Sequence, residues 1–333
     1  MKVLITGGAG FIGSTIASAA LDAGHQPVIL DNLVTGRREF AAGRDFYEGD
    51  IADRALVQRI FAEHPDIAAV VHCAALIVVP DSVARPIDYY RANVTKTLEM
   101  VDAVVSCGCR RLVFSSSASM YLPSDDLSVD ELSPLAPGSP YARTKMMVEG
   151  LLSDVAAATE LAALSLRYFN PIGADPKMRT GVQVPAPSHA LGKLIAAYEA
   201  GVPFEVTGVD YPTRDGTGIR DYVHVWDLAL AHVSALERFD LLTADASYDV
   251  INLGTGAGTT VKELVAAFET VTGERVPIKE APRRPGDSVG AFTRSGKARD
   301  ALGWEARHTL EQGITDSLEW TRRRGNVLPD LMA

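Results

Sequence analysis

The chain has 333 residues, 47% of them hydrophobic and 22% charged, ordinary for a globular protein and enough for one large or two modest cores. Its net charge of −10, from 32 basic and 42 acidic side chains, argues against nucleic acid or a membrane surface as partner. No apolar run approaches the roughly 18 residues of a membrane-crossing helix, and the three apolar residues before the first glycines make no signal peptide, so a cytoplasmic location is expected.

Val3, Leu4 and Ile5 form a short apolar run, as in a strand buried on both faces, and Gly7, Gly8, Gly10 and Gly13 break it. Phe11, Ile12 and Ile16 then begin a helical stripe. Strand, glycine turn and helix in this order form a dinucleotide-binding context. Gly7 and Gly10 let a pyrophosphate approach the backbone, and Gly13 lets the helix pack on the strand. The helix's first N–H groups face the phosphates. A second strand over Pro27–Leu30 ends in Asp31, about twenty residues beyond the last glycine, where a carboxylate meets ribose hydroxyls and repels the extra phosphate of NADP. NAD is therefore the expected cofactor.

Arg44–Glu48 reads as a third strand, followed by Gly49, Asp50 and Ile51, and a helix over Arg54–His64 closes at Pro65. Val70 and Val71 lead a fourth strand into His72, Cys73, Ala74 and Ala75, small residues that suit close passage of a cofactor. Pro86 opens a long helix to Val105, and Arg111–Phe114 is a fifth strand ending in Ser115, Ser116, Ser117 and Ala118. A Pro- and Ser-rich loop follows, then Tyr141-Ala-Arg-Thr-Lys145 at the head of a helix to Thr159. Three cysteines (Cys73, Cys107, Cys109) give no disulfide framework, and the seven histidines show no metal-ligand spacing, so no metal is expected.

Tyr141 and Lys145, four apart, share one helix face. A phenol near its reference pKa of about 10 is a poor base at neutral pH; an adjacent ammonium, helped by a positively charged nicotinamide, brings it into range. Ser117 can bridge the phenol and a substrate hydroxyl. YxxxK alone fits any solvated helix face; its position behind a serine-ended fifth strand, in a chain with a dinucleotide turn, lifts it above that.

The set TGGAGFIG, Asp31, HCAA, SSSA and YARTK resembles the extended short-chain dehydrogenase/reductase family. Within it RYFNPIGA (167–174), DYPTRDGTGIRDYVH (210–224) and APRRPGD (281–287) are similar to the UDP-glucose/UDP-galactose 4-epimerases, and the similarity runs to a terminal helix over Leu310–Arg323. The resemblance implies a doubly wound parallel sheet, α/β, with a Rossmann NAD-binding domain over residues 1–172. Trp226–Arg238 (helix) and Val250–Leu253 (strand) place about 225–254 back in it. A smaller, interleaved α+β substrate-binding domain would span 173–333.

The same resemblance implies that Tyr141 is base and acid, Lys145 its electrostatic partner and a nicotinamide-ribose ligand, and Ser117 the second hydroxyl contact. Cofactor contacts would come from Gly7, Gly10, Phe11, Ile12, Gly13, Asp31, Asn32, Asp50, Ile51, Cys73, Ala74, Ala75, Asn93, Ser115 and Tyr168 besides Tyr141 and Lys145. Asn170 would hold the sugar diphosphate, Leu191 the uracil, and Arg220, Arg284 and Asp287 the phosphates and uridine ribose. Ala291 would line the hexose pocket, leaving room for an acetamido group; a shift of one residue would put Phe292 there and close it. Ile77 stands where many members have lysine, Leu122 where glycine is usual, and 175–189 is shorter than in many relatives.

The implied reaction inverts the hexose's fourth carbon: Tyr141 removes the hydroxyl proton, NAD accepts the hydride, and the ketone turns and takes it back on its other face. UDP-glucuronate or another nucleotide sugar, and a net NAD-dependent dehydrogenase or reductase, are the alternatives; an NAD-sensing protein without chemistry has no need of Ser117, Tyr141 and Lys145. The helices over 86–105 and 141–159, with Leu98, Met100, Val101, Met147, Val148, Leu151 and Leu152, resemble the family's two-fold interface and imply a homodimer.

Overall fold

The computed structural model describes residues 1–284 and 286–331. The first half of the chain alternates β1 (Lys2–Thr6), α1 (Phe11–Asp22), β2 (Gln26–Asp31), β3 (Asp45–Glu48), α2 (Arg54–Glu63) and β4 (Ile67–His72). It continues with α3 (Val79–Ala84), α4 (Pro86–Tyr90), α5 (Lys96–Ser106), β5 (Arg111–Ser117), β6 (Ser128–Val129), α6 (Pro140–Ala158), β7 (Ala162–Tyr168) and β8 (Asn170–Ile172). Then come α7 (Ala190–Glu199), β9 (Phe204–Thr207), β10 (Ile219–His224), α8 (Val225–Glu237), α9 (Phe239–Leu242) and β11 (Tyr248–Leu253). β12 (Gly258–Thr260), α10 (Val261–Thr272), β13 (Ile278–Ala281), β14 (Phe292–Thr293) and α11 (Leu310–Arg323) complete it.

Seven parallel strands form one sheet in the order β11-β7-β5-β4-β1-β2-β3, a doubly wound sheet of Rossmann type. β1 shows why: Val3 and Ile5 enter the core under α1 and α8, and Leu4 enters the opposite one under α2, α5 and α6. Such strands are apolar on both faces, as a parallel sheet covered by helices requires. The late strand β11 pairs with β7 from Tyr248↔Ala163 to Leu253↔Tyr168. A third core, with Leu194, Phe204, Leu264, Phe268, Ile314 and Leu318, unites α7, α10 and α11 beyond the sheet.

β5 runs to Ser117, a serine-ended strand as expected, and Ser115, Ser116 and Ser117 are buried and paired with Leu166, Arg167 and Tyr168. One element differs from the sequence expectation. The long helix from Pro86 is divided: a π turn over Arg91–Thr95 separates α4 from α5. One extra residue in that turn aims Asn93 inward, where it accepts from Leu76 N–H (2.8 Å) and donates to Leu76 O (2.9 Å) and Thr144 Oγ1 (3.1 Å). Among the described residues no helix is long and apolar enough to cross a membrane, and no cluster of His, Cys, Asp and Glu could hold a metal.

Candidate active site

The register of the sheet sets three turns side by side at its carboxyl edge: Thr6 pairs with His72, and His72 with Phe114. Gly7 has φ +70°, and a Cβ there would lie 2.6 Å from Ala74 N, so β1 and β4 converge only around glycine. A Cβ on Gly13 would meet Gly7 O at 2.3 Å, which is how closely α1 packs on the turn. Gly10 is different: its Cβ would meet only Gly7 O (3.4 Å) and Gln183 Nε2 (4.0 Å). That open position caps α1 without a side chain, leaving the N–H groups of Phe11, Ile12 and Gly13 for an anion. Asp31 accepts from Ala9 N–H (3.0 Å) and Leu33 N–H (2.8 Å), bonds that pull its pKa down while burial, the larger effect, pushes it up. Asn32 Oδ1 accepts from Val34 N–H at 3.2 Å, and Asp50 accepts from Ala52 N–H (3.0 Å) and Lys96 Nζ.

At the end of β5, Lys145 Nζ donates to Ser115 O at 2.8 Å and lies 4.7 Å from the Phe114 ring centroid and 6.0 Å from that of Tyr141. Pro140 at the first turn of α6 and Ser139 as its cap, accepting from Ala142 N–H at 3.2 Å, place Tyr141 at the mouth and Lys145 one turn deeper. Burial lowers the Lys145 ammonium to about 8 against the pull of Cys73 and Glu149. Burial also raises the Tyr141 phenol, with only the neighbouring Ser117 hydroxyl pulling it down. The ammonium is turned to the Ser115 carbonyl.

Ser115 Oγ lies 3.1 Å from Cys73 Sγ and 3.4 Å from His232 Nε2. His232 Nδ1 must donate to Leu228 O (2.9 Å), and burial holds the ring neutral with a pKa of about 4, so Nε2 accepts and Ser115 donates. Tyr168 closes this side, its ring 6.3 Å from His232 and its phenol pushed far up by burial.

On the sugar side Ser117 Oγ donates to Ser119 Oγ at 3.0 Å. Ala291 packs with Ala118, Tyr121, Val129 and Phe169, whereas Phe292 turns toward Gly258, whose Cβ would meet its ring at 2.5 Å. Asn170 opens β8 opposite Tyr222 of β10. Arg220 spends its fork on carbonyls, Nη1 donating to Ile219 O (2.6 Å) and Val289 O (2.9 Å) and Nη2 to Ser288 O (3.3 Å). Arg284 is paired with Asp287 at 2.9 and 3.2 Å. The side chains of Leu191 and Ile51 sit in apolar cores, so a ligand at these positions would meet their backbones. Pro285 of the 281–287 motif lies outside the described residues.

Residues 3–254 match the model of the NAD dependent epimerase/dehydratase family, three-quarters of the chain, with the glycine turn and the Tyr141–Lys145 pair inside the match. The chain belongs to this family. This epimerase/dehydratase is 43% identical over 331 residues to the UDP-glucose 4-epimerase of Bacillus subtilis (strain 168), covering 96% of each chain. Its fold is similar to the crystal structure of UDP-glucose-4-epimerase from Stenotrophomonas maltophila with bound NAD and formylated UDP-arabinopyranose (TM-score 0.91, 38% identity, 98% and 99% of the two chains). It is also similar to the UDP-Glc/GlcNAc 4-epimerase from Campylobacter jejuni (TM-score 0.80, 35% identity, 97% and 99%).

Sequence reasoning missed several polar groups of this epimerase/dehydratase. Among the described residues the phenol oxygens of Tyr211 and Tyr222 are buried without a partner, beside the Arg220, Arg283 and Asp287 charges, and Arg283 stacks 3.9 Å above the Tyr211 ring. Buried orphan hydroxyls next to arginines suit an anionic ligand. Their signal was present, since both tyrosines lie within the 210–224 motif, but a motif does not say which of its side chains lack partners.

Proposed function

We propose that this chain is a UDP-hexose 4-epimerase interconverting UDP-glucose and UDP-galactose. The observation that carries the reading is the meeting of Ser117, Tyr141 and Lys145 beside an open dinucleotide turn, in a chain that matches UDP-glucose 4-epimerases over nearly its whole length. The residues fit NAD: Gly10 leaves the cradle a Cβ would narrow, and the Phe11, Ile12 and Gly13 amides and Asp31 would hold the diphosphate and adenosine ribose. When bound, NAD supplies a reversible hydride acceptor, so a carbon can be inverted without net oxidation.

Tyr141 takes the proton from the hydroxyl on the hexose's fourth carbon and returns it. Ser117 stands beside the phenol and, with its hydroxyl turned from Ser119 to Tyr141, would steady the charged form that burial otherwise opposes. Lys145 fixes the end of β5 through the Ser115 carbonyl and sets its ammonium 6.0 Å from the Tyr141 ring centroid. With Tyr141 at 9% and Lys145 at 4% exposure, little water reaches the proton-transfer atoms. Asn170, Arg284 and Asp287 would hold the diphosphate and uridine ribose, joined by Arg220 through the N–H groups outside its bonds to Ile219, Val289 and Ser288.

Residues 1–172 with about 225–254 make up the cofactor domain and the remainder the substrate domain; β11 in the main sheet supports that division. A homodimer through α4, α5 and α6 is supported by Ile87, Leu98 and Met147, which are exposed, while Met100, Val101, Val148 and Leu152 are spent on the core. Light scattering at micromolar concentration that finds a monomer refutes the dimer. Incubation with UDP-glucose, UDP-N-acetylglucosamine and UDP-glucuronate tests the reaction, with isomers separated by chromatography. Isomer formation without NADH release is expected for the first; steady NADH release points instead to a dehydrogenase. The orientation of Ala291 supports an open wall, so the acetamido sugar is also accepted, and Ala291→Tyr selectively loses it.

A further inference from the structure

Beneath the catalytic residues runs a buried polar chain that the mechanism above leaves unused. Glu149 lies one turn beyond Lys145 on α6, and Arg167 of β7 donates to it through Nε (2.9 and 3.1 Å) and Nη2; each residue is 5% exposed. Ser116 Oγ, next to Ser117 on β5, donates to the same carboxylate. At its other end Arg167 Nη1 donates to Tyr121 Oη at 2.7 Å, the guanidinium lying 4.9 Å from that ring's centroid. Tyr121 Oη donates to Asn252 Oδ1 of β11 at 2.7 Å, and Asn252 N–H donates to Glu131 Oε1 at 2.7 Å. The chain therefore joins the catalytic helix, the catalytic strand and both limbs of the loop over 118–135.

Stability alone is a poor reason for such a group, since apolar side chains of similar volume commonly stabilise as well as a buried ion pair. Its placement gives a better one. Tyr121 is the point where the chain reaches the sugar-side wall, packing with Ala118, Phe169 and Ala291. Glu149, one helical turn beyond Lys145 on α6, acts on that ammonium through its charge. The groups facing that ammonium are Cys73 and neutral His72 from the end of β4, the Ser115 carbonyl and Phe114 ring of β5, and Tyr141 and Glu149 of α6; Glu149 is the carboxylate among them.

We propose that Glu149, Arg167 and Tyr121 are positioning residues that couple the Lys145 ammonium to the sugar-side loop. Glu149 favours the charged ammonium against its burial and pins Ser116, Arg167 carries the constraint across the sheet, and Tyr121 anchors the loop against which the sugar turns. The proposal rests on the epimerase reading, and it makes loop order and catalytic charge parts of one network.

Hydrogen exchange of residues 118–135, read by mass spectrometry without substrate, tests the anchor directly. Tyr121→Phe, which removes one hydroxyl, and Arg167→Met should both quicken exchange there, and Arg167→Lys should partly restore it. In epimerase assays Tyr121→Phe should lower kcat by about 10- to 100-fold, as loss of positioning does, with KM little changed. Glu149→Gln keeps an acceptor for Ser116 but removes the charge, so the ammonium gives up its proton more readily. The alkaline limb of the kcat–pH profile should then move down by about one unit or more. Tyr121→Phe keeps the proposal testable where Glu149→Gln folds poorly. Unchanged exchange and kcat in Tyr121→Phe, or a Glu149→Gln enzyme that loses stability and rate with its pH profile in place, overturns the relay. Wild-type protein that converts neither UDP-glucose nor UDP-galactose overturns the epimerase reading instead, and the substrate-free exchange measurement still judges the relay.

Discussion

Tyr141 is the residue on which the chemistry turns, and its environment says what its loss should do. Tyr141→Phe removes one oxygen from a site whose ring remains packed at 9% exposure, so the fold and UDP binding should persist. Turnover should fall by at least the ~10²–10⁴-fold typical of lost proton transfer, read by chromatographic assay beside calorimetric UDP titration. A second residue-scale effect is acid lability. His72 donates and accepts between Thr6 Oγ1 (2.7 Å) and Thr97 Oγ1 (2.9 Å), and burial lowers it to about 3; burial alone lowers His189 to about 4, and His232 is likewise near 4. These pKa values are depressed on folding, so their contribution is complete above the ordinary value of 6.5 and is lost as pH falls toward 4 and then 3. Each histidine adds a slope of up to about 1.4 kcal/mol per pH unit in that window. The urea midpoint should therefore be clearly lower at about pH 5 than at about pH 7.5; equal midpoints refute it.

At the scale of elements, β1, β2 and β4 were legible because strands buried on both faces read as unbroken apolar runs. The end of β5 was legible too, although Ser115–Ser117 have the composition of a loop and their pairing with β7 is what makes them strand. The shape of the helix from Pro86 was not: the one inserted residue of the π turn leaves the helical stripe nearly in phase while changing which side chain points inward. The two- and three-residue strands β6, β12 and β14 owe their existence to partners far away in the chain, as in Phe292↔Ser128, and carry no local pattern. The glycine turn and the Tyr141–Lys145 helix were read correctly as elements, whereas Leu191 and Ile51 show that a motif cannot separate backbone from side-chain contacts. The π turn carries its own prediction. Asn93→Ala deletes the bonds to Leu76 and Thr144 and strands a buried amide and carbonyl, so unfolding free energy should drop by about 1–3 kcal/mol or more. Thermal melts check this, and NAD retained on purification should fall with it, because Leu76 follows the Cys73–Ala75 turn.

At the scale of the whole molecule the two halves are tied near the cofactor turn. Thr15 Oγ1 meets Thr180 Oγ1 at 3.0 Å, Gln183 Nε2 donates to Thr35 O at 2.8 Å, and Arg179 bonds Asp22 of α1. The sheet itself is also shared. Six of its strands are in place by Tyr168, but the seventh, β11, is made only after α7, β9, β10 and α8. Until it arrives β7 has a bare edge of unpaired N–H and C=O groups, and the apolar faces of Leu164 and Leu166 lack Ile251 and Leu253. Residues 1–172 expressed alone should therefore aggregate, as measured by sedimentation; a soluble monomer of that fragment refutes it. During synthesis on the ribosome the same edge stays open until Leu253 emerges, so this stretch depends on whatever shields nascent chains. A premature stop between Tyr168 and the start of β11 leaves an adhesive ribbon in place of a working cofactor module.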